Sequence, residues 1–123
     1  MDTAGIDMLG KSEPMIEGAC HCGAVSLRVS RLPTYINDCQ CTHCQKRGTL
    51  WAYFDLAEVE IAGPTTQYMW GGKHIIFHFC PTCGCTTHWS PNDPEGRRMG
   101  VNTRLLDRAA LSDIPIRQSP GPR

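Results

Sequence analysis

The chain has 123 residues, of which twelve are basic and twelve are acidic, so its formal net charge is zero. This length predicts one domain, and no stretch approaches the roughly 20 apolar residues of a membrane-spanning helix, so we expect no membrane partner. A neutral chain without a basic stripe also argues against a nucleic-acid partner.

The two ends of the chain differ in composition from its middle. The first sixteen residues, MDTAGIDMLGKSEPMI, contain four charged side chains and no apolar run. They predict a flexible N-terminal extension over 1–16 without a secretory signal, and therefore a cytoplasmic location in which cysteines stay reduced. The domain itself is predicted over 17–115, and a disordered tail over 116–123.

Short strand-like runs alternate with turn signals through the middle of the chain. Residues 24–30 place Val25, Leu27 and Val29 on one face, as expected of a half-buried strand. Further strands are predicted at 50–54, 58–61, 65–70, 73–79, 86–89 and 98–102, and the pair Gly71-Gly72 predicts a hairpin turn. Only residues 105–111 suggest a helix. The predicted fold class is all-β, with small, mostly antiparallel sheets and little helix.

Eight cysteines fall into three tight clusters. The clusters are Cys20-His21-Cys22, Cys39-Gln40-Cys41-Thr42-His43-Cys44 and Cys80-Pro81-Thr82-Cys83-Gly84-Cys85. Tetrahedral zinc needs sulfurs less than ~4 Å apart, and C-x-C and C-x2-C spacings supply such pairs. The pattern therefore indicates zinc, with an iron–sulfur cluster or disulfides as the alternatives.

Ligand counting divides the cysteines between two sites, because a structural zinc takes four protein ligands and a catalytic zinc keeps one position open. The economical structural set is Cys20, Cys22, Cys80 and Cys83. The catalytic set is then Cys39, Cys41 and Cys44. The count leaves open whether Cys85 or a histidine closes the second site.

Three ordered motifs carry a resemblance to a known family. They are GACHCG at 18–23, the C-x-C-x2-C cluster at 39–44 and FHFCPTCG at 77–84, followed by VNTRLLD at 101–107. From about residue 18 to residue 107 the chain resembles the glutathione-dependent formaldehyde-activating enzymes, which are related to centromere protein V. The resemblance implies a β-tent fold, the same division into structural and catalytic zinc, and carbon–sulfur lyase activity on glutathione adducts. Its named reaction joins formaldehyde and glutathione to give S-hydroxymethylglutathione.

The chemistry of the three-cysteine set also follows from its donors. Three thiolates leave zinc with a net charge of minus one, so the metal favours a soft fourth ligand such as the thiolate of glutathione. Zinc would lower the pKa of that thiol and hold it as the nucleophile for an aldehyde carbon, or as the leaving group in reverse. The predicted function is a zinc-dependent carbon–sulfur lyase acting on a glutathione, or other thiol, adduct of an aldehyde. The alternative is a zinc-stabilised binding module without catalytic activity.

Polar residues near the clusters have two interpretations each. Lys46 and Arg47 could receive a glutathione carboxylate or lie on a solvated loop. His43 could carry protons or be an exposed loop histidine. Cys85 could be a small buried thiol, a fourth ligand or a redox group.

Histidine and aromatic residues of the predicted strands are also ambiguous. We predict that His74 and His78 lie on the surface of a half-buried strand, with a metal or substrate contact as the alternative. Trp51, Tyr53 and Trp89 are predicted to belong to the core, although one of them could form the wall of a pocket.

Overall fold

The computed structural model describes residues 15–120, which form two β-sheets and one short α-helix. The strands are β1 (Ile16–Ala19), β2 (Ser26–Val29), β3 (Ile36–Cys39), β4 (Trp51–Asp55), β5 (Val59–Ala62), β6 (Thr66–Tyr68), β7 (Ile75–Phe79), β8 (Thr86–Pro91), β9 (Arg98–Asn102) and β10 (Ile116–Ser119). The helix is α1 (Thr42–Arg47), and short 3₁₀ helices occupy Leu56–Glu58, Thr103–Leu105 and Ala109–Leu111. Within the described residues, no helix is long and apolar enough to span a membrane. The prediction of an all-β fold with little helix is confirmed.

The strands form one small and one large sheet. The small sheet has the order β1-β2-β5, and the large one has the order β10-β3-β4-β9-β8-β7-β6. Neighbouring strands are antiparallel except β10, which runs parallel to β3. All seven strands predicted from the sequence overlap an observed strand, and the turn at Gly71-Gly72 connects β6 to β7 as expected.

The apolar core lies between the two sheets. Leu27 and Val29 of the small sheet are fully buried, and they pack in one cluster with Phe54 and Val101 of the large sheet. Val25 is also fully buried, which confirms the predicted apolar face, but it packs against Cys20 and Cys80 instead. Burial of each such side chain stabilises the fold by roughly 1.5–3 kcal/mol. The core therefore extends directly to one of the cysteine clusters.

Gly18 allows β1 to contact the VNTRLLD motif at 101–107. A Cβ at this position would overlap the backbone carbonyl of Leu105, and Gly18 forms an isolated antiparallel bridge with Leu106. Only glycine fits such a close approach of two backbones without displacement. The contact brings the GACHCG motif and the VNTRLLD motif together, although Gly18 and Leu106 are more than eighty residues apart in the sequence.

The ends of the domain differ from the prediction. The disordered tail predicted from residue 116 is wrong for 116–119, because these residues form β10, which pairs with β3 from Ile116↔Ile36 to Ser119↔Cys39. Most of β10 is exposed, so its pairing depends on backbone hydrogen bonds that leave no apolar pattern in the sequence. Residues 121–123 of the tail and residues 1–14 of the predicted extension lie outside the described residues. Ile16, the last residue of that extension, is buried in β1.

The helical segment is also at a different place than predicted. Residues 105–111 contain the last residue of one 3₁₀ helix and the whole of another, whereas the α-helix lies at Thr42–Arg47. A six-residue helix is too short to show a helical period, so its sequence carried no apolar signal. It is stabilised at its ends. The Sγ atom of Cys41 accepts a hydrogen bond from the Cys44 N–H at 3.4 Å, and Gly48 ends the helix in a left-handed conformation, with φ of 69°.

Candidate functional site: two cysteine clusters

Four cysteines meet between the two sheets. Cys20 and Cys22 follow β1, and Cys80 and Cys83 follow β7. Their four Sγ atoms all lie within 4.8 Å of one another, with 3.7 Å between Cys20 and Cys22 and 3.6 Å between Cys22 and Cys80. Thiolates at about 2.3 Å from a tetrahedral metal are roughly 3.8 Å apart. The donor set and its spacing therefore fit a tetrahedral metal ion.

Two tight turns present these sulfurs. In the first, the Cys20 N–H donates to the Val25 carbonyl and the Gly23 N–H donates to the Cys20 carbonyl; in the second, the Cys80 N–H donates to the Cys85 carbonyl. Backbone N–H groups also donate hydrogen bonds to the sulfurs. The bond from the Cys85 N–H is the main reason why the pKa of Cys83 is lowered to about 5. Hydrogen bonds to the charged form favour the thiolate that binds metal.

Three cysteines form the second cluster at the start of α1. Cys39 ends β3, Cys41 is the N-cap of the helix and Cys44 lies in its first turn. Their Sγ atoms lie within 4.8 Å of one another, and the residues are 8%, 5% and 4% exposed. Burial raises the pKa of Cys44 to about 12. Because neighbouring buried thiolates repel one another, their joint ionisation requires a cation, which is what a bound metal supplies.

Trp51 completes the surroundings of the second cluster. Its Nε1–H donates a hydrogen bond to Cys44 Sγ at 3.2 Å, and its side chain is buried. The pairing of Trp51 with Asn102 across β4 and β9 sets the position of the ring. Sequence reasoning assigned Trp51 to the core but missed this hydrogen bond, since no spacing pattern connects an indole to a cysteine seven residues earlier.

We expect Trp51→Phe to weaken metal binding at the three-cysteine cluster. The substitution keeps most of the apolar volume and removes the hydrogen bond to Cys44, and loss of such a partner typically costs 10–100-fold in metal affinity. The measurement is competition for Co²⁺ between the protein and a chelator, followed by absorbance. Trp89→Phe is the matched control, because Trp89 lines the same pocket as Trp51 and, in the part of the chain that the structure describes, makes no hydrogen bond to the three sulfurs. Equal affinity in wild type and Trp51→Phe would contradict the role of the indole.

Comparison with known proteins places the chain in a family. A family model described as glutathione-dependent formaldehyde-activating enzyme matches residues 15–117, which include both cysteine clusters. The chain belongs to the glutathione-dependent formaldehyde-activating enzyme family. A crystal structure of a Rhodobacter sphaeroides protein is also similar, with 29% sequence identity and a TM-score of 0.66 over 82% of this chain and 99% of that chain. A search of curated proteins finds no match. The resemblance predicted from the motifs is therefore confirmed, and the two clusters are compatible with glutathione-related activity that depends on zinc.

His43 of this family member is not an exposed loop histidine. It is half-buried on α1 and packs on the ring of Phe77, with ring centroids 4.0 Å apart. Burial, together with the charge of Arg47, lowers the pKa of His43 to about 4, so that its imidazole is neutral at pH 7. Its Nδ1 lies 4.0 Å from Cys44 Sγ, and its buried Nε2 has no hydrogen-bond partner among the described residues. A role in proton transfer stays a prediction.

The prediction that His78 lies on the surface is wrong. His78 is buried; its Nδ1 lies 2.9 Å from Thr65 Oγ1 and its Nε2 lies 2.8 Å from Ser90 Oγ. Its ring also stacks on His88, with centroids 4.1 Å apart. The reason is that β7 is an interior strand between β6 and β8, where hydroxyl groups satisfy both ring nitrogens. His74 is exposed, and neither histidine belongs to a cysteine cluster.

The remaining candidates also have defined positions. Lys46 is exposed on α1, whereas the Arg47 guanidinium lies over the rings of Tyr68 and Phe79, at 5.4 and 5.2 Å from their centroids. Cys85 is half-buried and packs with the four-cysteine cluster, so it does not close the three-cysteine one.

An apolar pocket of about 220 Å³ opens beside the three-cysteine cluster. All three cysteines line it, and aromatic and aliphatic side chains form most of the remaining wall. These side chains are Trp51, Trp70, Ile75, Phe77 and Trp89. Trp51 and Trp89 therefore form pocket walls, the alternative considered for them from the sequence. Tyr53 lies outside the wall and accepts a hydrogen bond from Asn37 at 2.6 Å.

Proposed function

We propose that this family member is a zinc-dependent carbon–sulfur lyase acting on an adduct of an aldehyde with glutathione or another thiol. The observation that carries the proposal is the position of the three cysteines. Cys39, Cys41 and Cys44 are buried together and line a pocket large enough for a small organic group. Three protein donors are the number found in catalytic zinc sites, which leave one position for substrate.

Two metal ions with different roles are part of the proposal. A structural zinc on Cys20, Cys22, Cys80 and Cys83 would have all four ligands from the protein. A catalytic zinc on Cys39, Cys41 and Cys44 would have three. All-sulfur donor sets of this size favour zinc or iron, and the 3.6–3.7 Å spacings of the first cluster support tetrahedral geometry. When bound at the second cluster, zinc supplies a Lewis acid that lowers the pKa of a substrate thiol.

The protein contributes binding, orientation and exclusion of water. Trp51 orients Cys44 through its hydrogen bond, and the aromatic wall restricts solvent around the reacting atoms. In the forward direction the substrate sulfur bonds to the aldehyde carbon, and the thiol proton ends on the former carbonyl oxygen. The reverse reaction breaks the same carbon–sulfur bond and returns the proton to sulfur. Neither direction needs a redox step or a covalent bond to the protein.

The cellular location and the class of partner are proposed from the free cysteines and the net charge. All eight cysteines are free in the structure, and this supports function in a reducing compartment. We propose that this compartment is the cytoplasm. A formal net charge of zero supports a small-molecule thiol over a nucleic acid as the partner.

We expect glutathione to change the spectrum of cobalt-substituted protein, whereas S-methylglutathione should leave the spectrum unchanged. A thiol that binds at the three-cysteine site adds sulfur to the metal's ligand field, and the methylated thiol cannot ionise to do so. The measurement is an absorbance titration of protein shown to contain two metal ions. No response to either compound would contradict the lyase proposal and favour the zinc-stabilised binding module.

A further inference from the structure

The pocket beside the three-cysteine cluster is built from aromatic side chains. Trp51, Trp70 and Trp89 are all the tryptophans of the chain, and each of them lines it. Phe77 and Ile75 of β7 add to the wall, and among the described residues no aspartate or glutamate contributes to it. Such a surface cannot hydrogen-bond a bound water well, so an apolar group gains by replacing water there.

The size of the pocket exceeds what a one-carbon aldehyde needs. An apolar cavity of ~150 Å³ already accommodates benzene, and this pocket has about 220 Å³. The carbon of formaldehyde carries only hydrogen atoms, so in its adduct that carbon brings no apolar group to the wall. An aromatic ring attached to the same carbon would cover that wall.

The entrance of the pocket is well defined. Trp70, Lys73 and His74 belong to the turn between β6 and β7, in which the Lys73 N–H donates to the Trp70 carbonyl at 3.1 Å. Asn92, which directly follows β8, stabilises this turn. Its side-chain amide donates to the Lys73 carbonyl and its N–H donates to the His74 carbonyl, both at 2.9 Å. These hydrogen bonds hold the turn that carries Trp70 and Lys73. Lys73 supplies a cation at its rim, where a carboxylate of glutathione can bind.

Building on the proposed lyase function, we propose that this pocket selects thiol adducts whose aldehyde carbon carries an apolar group of about the size of a phenyl ring. The substrate class is then the hemithioacetal of an aryl-substituted aldehyde, with the ring between the tryptophans and the sulfur toward the three cysteines. Its cleavage breaks the carbon–sulfur bond, restores the carbonyl group and returns the hydroxyl proton to the thiol. The formaldehyde adduct is the poorer substrate on this proposal.

Tryptophan fluorescence tests the selectivity without turnover, because all three tryptophans line the pocket. Zinc-loaded protein is titrated with S-benzylglutathione and, separately, with S-methylglutathione. We expect S-benzylglutathione to bind at least ~10-fold more tightly, because its ring leaves water for the apolar wall. Equal affinities for the two compounds would overturn the proposal.

Two substitutions on β7 test whether the pocket wall causes the preference for S-benzylglutathione. Ile75→Arg places a charge in the pocket and should abolish the difference between the two compounds. Ile76→Arg is the matched control, since Ile76 is equally half-buried but points to the opposite face of the strand, and it should keep the difference. A preference that persists in folded Ile75→Arg would overturn the proposal. If that variant does not fold, the wild-type titrations still decide it.

Turnover measurements distinguish a failure of this selectivity from a failure of the proposed lyase function. Adducts of glutathione with benzaldehyde and with formaldehyde are compared by kcat/KM. A higher value for the benzaldehyde adduct supports both proposals, and a higher value for the formaldehyde adduct overturns the selectivity. Tight binding of S-benzylglutathione without turnover of either adduct would support the proposed selectivity of the pocket and contradict the proposed lyase function.

Discussion

Replacement of Cys83 by serine should leave the chain unfolded at room temperature. The four-cysteine cluster connects the turn after β1 in the small sheet to the turn after β7 in the large one. Structural zinc contributes about 10–16 kcal/mol in small peptides, whereas a whole domain is typically stable by only ~5–15 kcal/mol. A site deprived of one thiolate cannot supply that free energy. Cys20→Ser should have the same effect, because Cys20 is buried in the same cluster.

Circular dichroism melts and metal analysis measure this effect. Cys85→Ser is the matched control, since Cys85 packs beside the cluster but is not one of its four sulfurs. It should melt close to wild type and retain both metal ions. A cooperative melt of Cys83→Ser at the wild-type temperature would show that the cluster does not stabilise the fold.

Cys41→Ser should abolish the proposed lyase activity and leave the domain folded. Cys41 caps α1 by accepting a hydrogen bond from the Cys44 N–H, and serine is among the best residues at this position, so the helix should persist. The metal at the three-cysteine cluster should be lost. Because a Lewis acid supplies several kcal/mol to such reactions, the rate should fall on the order of 10³-fold.

The measurements for Cys41→Ser are a thermal melt, metal content and turnover of the glutathione adducts. We expect a folded protein containing one metal ion in place of two. Unfolding as complete as that of Cys83→Ser would contradict the division into a structural and a catalytic site. Retention of full activity would contradict the role of the three-cysteine cluster.

Local features of the fold were predictable from the sequence. The alternation at Val25, Leu27 and Val29 identified a strand and its buried face, and the structure buries all three residues completely. The spacing of the cysteines separated four sulfurs from three, and the same two groups meet in space. Both signals are short-range: a strand alternates every second residue, and a C-x2-C turn places its own two sulfurs together. The four-cysteine group also needed the count of ligands, because its two pairs are far apart in the sequence.

Features without a local pattern were missed. The strand β10 has mostly exposed side chains and exists because its backbone pairs with β3, so its composition resembled a disordered tail. The helix α1 is too short to show a period. His78 alternates with apolar residues, as a surface residue would, yet the neighbouring strands bury it and supply Thr65 and Ser90 as partners.

The sequence by itself therefore determined the division of the cysteines into two groups, seven of the ten described strands and the family. Only the tertiary structure decided what surrounds the three cysteines. The hydrogen bond from Trp51 to Cys44, the aromatic wall and the turn fastened by Asn92 each join residues from different strands or turns. Such contacts depend on the order and register of strands, which are set by pairing over long sequence distances, whereas ligand spacing is set by a few consecutive bonds.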